Sequence, residues 1–228
     1  MASSVPFEPE TMLATSPPAV TPAVKPLIVG IGGTPREQSS TELALRQACE
    51  AIGEEAEIRI FAGRELLLPL YQPGVASRDA GAAALVSALM HCDGLIIASP
   101  AYHGTISGLI KNALDYAEEL SGEARPYLDG VPIGLIACAA GWQAAGQTLA
   151  TLRTIAHALR GWLTPYGATI RTVPGLFAGG ICNDPAVTAD LGRVGEQVLA
   201  FAQSQASTLA GLASMQHAAS FTSTGTTP

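Results

Sequence analysis

Short apolar runs alternate with longer stretches of helical period along most of this chain, and that alternation limits the folds open to it. Leu27-Ile28-Val29-Gly30-Ile31, the GLIIA run at 94–98 and the VPIGLIACA run at 131–139 are apolar throughout. Strands buried on both faces read this way. The run at 57–61 alternates charged with apolar residues, as suits an edge strand, and a fifth strand is expected at 168–173. Helical spacing fills the intervals at 41–52, 80–91, 107–120, 147–162 and 185–203. The order is βαβαβαβαβα. Right-handed crossovers turn such an order into a parallel sheet with helices on both faces. Five strands predict the spatial order 2-1-3-4-5, an α/β three-layer sandwich.

The 228 residues suffice for one domain with a sizeable core. Residues 1–25, rich in Pro, Ala, Ser and Thr, cannot bury enough apolar surface to offset their ordering entropy. They are expected to form a flexible N-terminal tail, with a site for packing on a partner subunit as one use. The domain itself is expected over 26–203, followed by a low-complexity C-terminal tail at 204–228 whose first part extends the last helix. A net charge of −7 argues against nucleic acid as a partner. No run approaches about 18 apolar residues, so no membrane span is expected. The first residues lack the basic start and apolar stretch of a signal peptide, which leaves the cytoplasm as the expected location. Cys49, Cys92, Cys138 and Cys182 stand far apart, with no C-x-x-C pair and no histidine at ligand spacing. They are read as small buried hydrophobes, and no metal site is expected.

Ligands of open parallel sheets sit outside the carboxyl ends of the strands, where the strand order reverses. The loops after strands 1 and 3 flank that point. The first reads Gly32-Gly33-Thr34-Pro35-Arg36-Glu37-Gln38-Ser39-Ser40-Thr41. Its glycines permit a tight turn, and Thr34, Ser39, Ser40 and Thr41 place hydroxyls where a helix begins. A helix start offers free N–H groups to an anion, and Arg36 adds a charged donor. The loop lacks the Lys of a Walker loop. It also lacks the third glycine and the strand-2 acid of a dinucleotide fingerprint. A terminal monophosphate fits it best; simple helix capping is the alternative reading.

The second loop reads Ser99-Pro100-Ala101-Tyr102-His103-Gly104-Thr105-Ile106-Ser107-Gly108, continuing into Leu109-Ile110-Lys111-Asn112-Ala113-Leu114-Asp115. It resembles the S-P-x-Y-x-G-x-x-x-G-x-x-K-N-x-L-D signature of the NADPH-dependent FMN reductase family. The first loop is similar to that family's G-S-x-R-x-x-S-x-[NT], with Thr34 in place of Ser. The resemblance spans roughly 26–200 and implies a flavodoxin-like fold with FMN as cofactor and NADPH or NADH as electron donor. It implies that Thr34, Arg36, Ser39, Ser40 and Thr41 hold the FMN phosphate. Pro100, Ala101, Tyr102, His103 and Gly104 would run along the isoalloxazine ring, and Ala140, Gly141 and Trp142 would face its pyrimidine end.

The implied chemistry is hydride transfer from nicotinamide to flavin N5, then delivery of electrons to an acceptor, and it needs positioning more than acid–base groups. No catalytic side chain is nominated. Lys111 and Asp115 stand at i,i+4 and read as a structural ion pair, and Asn112 as a tie from helix to loop. His103 is a contact of flavin or substrate, or points to solvent. Trp142 borders the flavin or a subunit interface, and Trp162 is expected in the core. The acceptor is expected to be a small molecule such as a quinone, an azo compound or a metal oxyanion. Two alternatives stand beside this reading: a reductase releasing reduced FMN to a partner monooxygenase, and a non-enzymatic electron carrier. A homodimer or homotetramer is expected.

Overall fold

The computed structural model describes residues 25–74 and 78–222. In chain order the elements are β1 (Leu27–Gly32), α1 (Ser40–Glu50), β2 (Glu57–Ala62), α2 (Ala80–His91), β3 (Gly94–Tyr102), β4 (Thr105–Ile106), α3 (Gly108–Asp115), β5 (Pro132–Ala139), α4 (Trp142–Ala158), β6 (Trp162–Arg171) and α5 (Pro185–Thr222). Five parallel strands run in the order β2-β1-β3-β5-β6. The expected order of the parallel strands is therefore the observed one. The sixth strand, β4, pairs antiparallel with the end of β3.

Alternate residues of the central strands enter different cores, as the pleat requires. Val29, Ile31, Leu95 and Ile97 pack with Leu85, Leu89, Ile110 and Leu152 from α2, α3 and α4. On the opposite face Ile28, Ile96 and Ile136 pack with Leu45, Leu191 and Val194 from α1 and α5. The two helices of that second face touch backbone to backbone. A Cβ on Gly195 of α5 would stand 2.1 Å from the Ala48 carbonyl oxygen of α1.

Three expectations need correction. The fourth helix, expected at 147–162, begins at Trp142 and ends at Ala158. Gly146 does not delay its start, because that position faces open space and the cost of a helical glycine, about 1 kcal/mol, is outweighed by packing of the helix. The last strand starts at Trp162, six residues before the expected 168. Pro165 and Gly167 hid it: the register jumps between Ile133↔Leu163 and Leu135↔Gly167, a bulge on an edge strand where proline is tolerated. Trp162 consequently opens an edge strand at 59% exposure and is no part of the core.

Helix α5 runs on through the Ser/Thr/Ala-rich segment to Thr222. The N-terminal tail expected at 1–25 lies, except for residue 25, outside the described residues, as do 223–228. Among the described residues no helix is long and apolar enough to cross a membrane.

Gly195→Ala is expected to force α1 and α5 apart. Overpacking of this kind costs about 1–3 kcal/mol, so the thermal midpoint should fall by several degrees in a calorimetric scan while the circular dichroism spectrum keeps its α/β shape.

Candidate functional site

The first loop leaves β1 at Gly32 and is shaped by local hydrogen bonds. Thr34 Oγ1 accepts from the Arg36 N–H and donates back to the Arg36 carbonyl, both at 3.3 Å. Gln38 takes a left-handed conformation at φ 54°. Ser39 then caps α1, its Oγ accepting from the Glu42 N–H at 3.3 Å. That hydroxyl still has its own proton to donate. The Ser40 and Thr41 N–H groups lie in the first turn, where no intrahelical carbonyl is within reach. Arg36 is exposed and has no ion-pair partner among the described residues. A cation without an ion-pair partner among the described residues, a serine hydroxyl and first-turn N–H groups thus fall within residues 36–41, at the start of one helix.

Thr41, like Ser39, is buried, and it lies beside the Cys138 thiol near the end of β5. Burial pushes that thiol up to about 12, the Thr41 side chain pulling weakly the other way. Cys49 is likewise pushed by burial to about 12 and Cys92 to about 11. These three thiols stay protonated and inert at neutral pH, whereas Cys182 is half-buried.

The second loop is a hairpin. β3 runs straight through Pro100 and Ala101 to Tyr102, and Tyr102↔Thr105 closes the pair with β4. The two central residues, His103 and Gly104, have φ values of 50° and 87°. Two positive φ values in a two-residue connection match the type I′ turn that suits strand twist. Histidine is among the non-glycine residues enriched in that region. Pro100 is tolerated in the strand because β1 pairing ends at Gly32↔Ala98 and only β5 continues alongside, as Pro100↔Cys138.

Sequence reasoning missed the residue that holds this hairpin. Ser99, fully buried, donates to the Pro100 carbonyl at 2.9 Å and accepts from the Ser107 N–H at 3.1 Å. Ser107 in turn caps α3 by accepting from the Ile110 N–H at 3.2 Å. From the far side Thr148 of α4 donates to the Thr105 carbonyl at 3.4 Å. A serine and a second serine eight residues on, bracketing a turn, were the available signal. Also missed was Glu42, although Ser39-x-x-Glu42 has the spacing of a capping box. Its carboxylate is buried, accepting from the Gln38 N–H and from Arg46.

The third segment lies beyond β5. Gly141 caps α4 in an extended conformation without a side-chain bond, and Arg171 Nε donates to the Ala140 carbonyl at 3.4 Å. Trp142 stands at the helix start, 61% exposed. All three segments therefore lie at the carboxyl edge of adjacent strands β1, β3 and β5. Leu67, Leu70, Tyr102, Trp142, Val173 and Ile181 are the large apolar side chains exposed in segments at this end, among the described residues. Lys111 and Asp115 pair along α3 as expected. Asn112 ties α3 to the segment after β2 and not to the hairpin, accepting from the Tyr71 N–H and donating to the Pro69 carbonyl, both at 2.9 Å. Among the described residues no group of three or more His, Cys, Asp or Glu could hold a metal ion.

Residues 26–172 match the NADPH-dependent FMN reductase family. The chain belongs to that family. Its relatives include the NADPH azoreductase of Bacillus sp. (strain OY1-2), 34% identical over 90 residues that make up 39% of this chain and 48% of the azoreductase. The FMN-dependent NADPH-azoreductase of Staphylococcus aureus (strain USA300) is 37% identical over 76 residues, 33% of this chain and 37% of that protein. The matches thus span less than half the length of either relative. In three dimensions the chain is similar to FerB, a flavoenzyme NAD(P)H:(acceptor) oxidoreductase from Paracoccus denitrificans. The TM-score is 0.65 at 17% identity, covering 78% of this chain and 98% of FerB, a likeness of fold. The family's phosphate-bearing cofactor fits the residues present: the first loop offers a charge and donors that the other described residues leave unused.

Removing the Ser99 hydroxyl leaves the Ser107 N–H buried without its partner, which costs about 1–3 kcal/mol. Ser99→Ala should lower the urea midpoint accordingly and speed amide exchange at residues 105–108. The buried thiols predict a second effect. Each has a folded pKa above the ordinary 9.0, so the unfolded chain loses thiol protons first as pH rises. Stability should be unaffected by these groups below about pH 8 and should decline between pH 9 and 11. Cys138→Ala should flatten that decline in urea titrations.

Proposed function

We propose that this chain is an NAD(P)H-dependent, FMN-containing oxidoreductase that passes electrons to a small acceptor. The observation that carries the proposal is the pairing of two loops on adjacent strands: an anion cradle whose Arg36 has no ion-pair partner among the described residues, beside a tightly tied hairpin with an exposed rim. Residues 26–203 are taken as the cofactor-binding unit. Bound FMN supplies hydride acceptance at N5 and onward delivery of electrons.

The chain's own residues bind and orient. Arg36, Thr34, Ser39, Ser40 and Thr41, with the first-turn N–H groups of α1, take the phosphate. The hairpin from Pro100 to Gly104 forms one wall for the ring, and Ala140, Gly141 and Trp142 border the next. Fixed backbone near a flavin supplies preorganised dipoles without reorganisation at the moment of reaction. His103 stands at the tip of the turn as a contact for ligand. No side chain in these segments needs to move a proton for hydride transfer.

The exposed Tyr102 and Trp142 favour a flat aromatic acceptor that stacks on them, such as a quinone or an azo compound, over a metal oxyanion. Two relatives carrying azoreductase names support the same choice. The apolar side chains at this end also support assembly as a homodimer or homotetramer, since surfaces of that kind mark contact sites. The unlinked thiols support a reducing compartment, the cytoplasm.

Purified protein is expected to be yellow, or to bind added FMN, and to oxidise NAD(P)H faster once a quinone or azo dye is supplied. Absence of both flavin binding and NAD(P)H oxidation sinks the proposal. A colourless protein that instead turns over free FMN indicates a flavin reductase serving a partner monooxygenase. Arg36→Ala removes a charge-assisted contact worth about 1.5–3 kcal/mol, so FMN affinity measured by fluorescence quenching should fall by about tenfold or more. An unchanged affinity means that the first loop does not hold the phosphate.

A further inference from the structure

Glu42 occupies an unusual place for a carboxylate. It is 8% exposed, in the first turn of α1, beside the loop that offers donors to an anion. In an ordinary capping box the glutamate at this position accepts from the N–H of the capping residue itself. Here it reaches one residue further back: Glu42 Oε2 accepts from the Gln38 N–H at 3.2 Å, and Ser39 is the cap. The Ser39 N–H is left without a protein partner among the described residues. Displacing the box by one residue therefore adds a donor to the cradle that a regular box would consume.

The same bond fixes backbone shape. Gln38 is held at φ 54°, a conformation that costs a non-glycine residue about 1–2 kcal/mol and persists only where its surroundings impose it. The other carboxylate oxygen, Oε1, is taken by Arg46 one helical turn on, with Nε at 3.0 Å and the second guanidinium nitrogen at 2.9 Å. Arg46 thus compensates a negative charge that would otherwise repel a phosphate at the helix start, and Arg36 is left free for the ligand. The backbone of Gly33 also passes against Glu42: a Cβ there would lie 3.2 Å from Glu42 Cβ. Gln38 is thus bonded to this side chain, and Gly33, at the other end of the loop, passes close by it.

We infer that Glu42 is a positioning residue which, through the Gln38 N–H, sets the loop in its phosphate-binding shape and so makes the protein discriminate FMN from riboflavin. The inference rests on the assignment of the first loop to the FMN phosphate. Glu42 touches no ligand atom in this account; it acts through the Gln38 backbone and through the N–H of Ser39 that it leaves free.

Riboflavin separates this role from a merely structural one, because it has the same ring and no phosphate. Affinities of FMN and riboflavin are measured by flavin fluorescence quenching for the wild type, Glu42→Ala and Glu42→Gln, with urea midpoints alongside. Wild type should prefer FMN. In Glu42→Ala that preference should drop by about tenfold, the scale of lost preorganisation at one charged contact, with riboflavin affinity changed by less than about twofold. Glu42→Gln keeps an oxygen that accepts the Gln38 N–H and should retain most of the preference. An unchanged FMN-to-riboflavin ratio in Glu42→Ala overturns the inference, as does equal weakening of both flavins, which reports general loosening of the fold. Loss of the preference in Glu42→Gln to the level of Glu42→Ala overturns it too. A wild type that binds both flavins equally, or neither, overturns instead the phosphate assignment on which the inference stands.

Discussion

The candidate site depends on β1 lying against β3 while the chain leaves the two strands toward opposite faces. The pairing runs from Ile28↔Gly94 to Gly32↔Ala98. From Gly32 the backbone crosses to α1, which packs in the core containing Ile28 and Ile96; from β3 it passes to α3 and the core containing Val29 and Ile97. Two loops that start side by side must then diverge, and a crevice between them is a geometric result of that topology. The apolar faces thus decide where the crevice lies before any polar residue is considered. Thr34, Arg36 and the hairpin residues only give it chemical character.

Burial explains why so much of this was legible from residues alone. Strands sealed on both faces, such as Ile28 to Ile31 and Leu95 to Ala98, leave an uninterrupted apolar record, and their crossovers have only one favoured hand. Legibility ended where tertiary contacts override local preference. Pro165 and Gly167 look like breakers, yet a bulge against Ile133 and Leu135 accommodates both at the sheet edge. Trp162 follows a helical pattern but opens that edge strand, so its ring meets solvent.

The candidate site shows the same division at finer scale. Hydroxyls and an arginine near a helix start announce a taste for anions through residue type alone. The Gln38 conformation does not, because a glutamine at positive φ is imposed by a carboxylate four residues later. Nor could residue types show that Ser39 and Thr41 are buried while Thr34 and Ser40 stay partly exposed; only the fold shows it. Polar side chains that serve the backbone carry weak sequence signals, since their partners are main-chain atoms common to every residue.

Ser99 joins the hairpin to α3, and Asn112 joins α3 to the segment at 68–71. The three pieces form a bracket with no slack in it. A two-residue turn tied in this way cannot swing open as a flap without first breaking the Ser99 contact to Ser107. That side of the candidate site is therefore a fixed sill and not a lid.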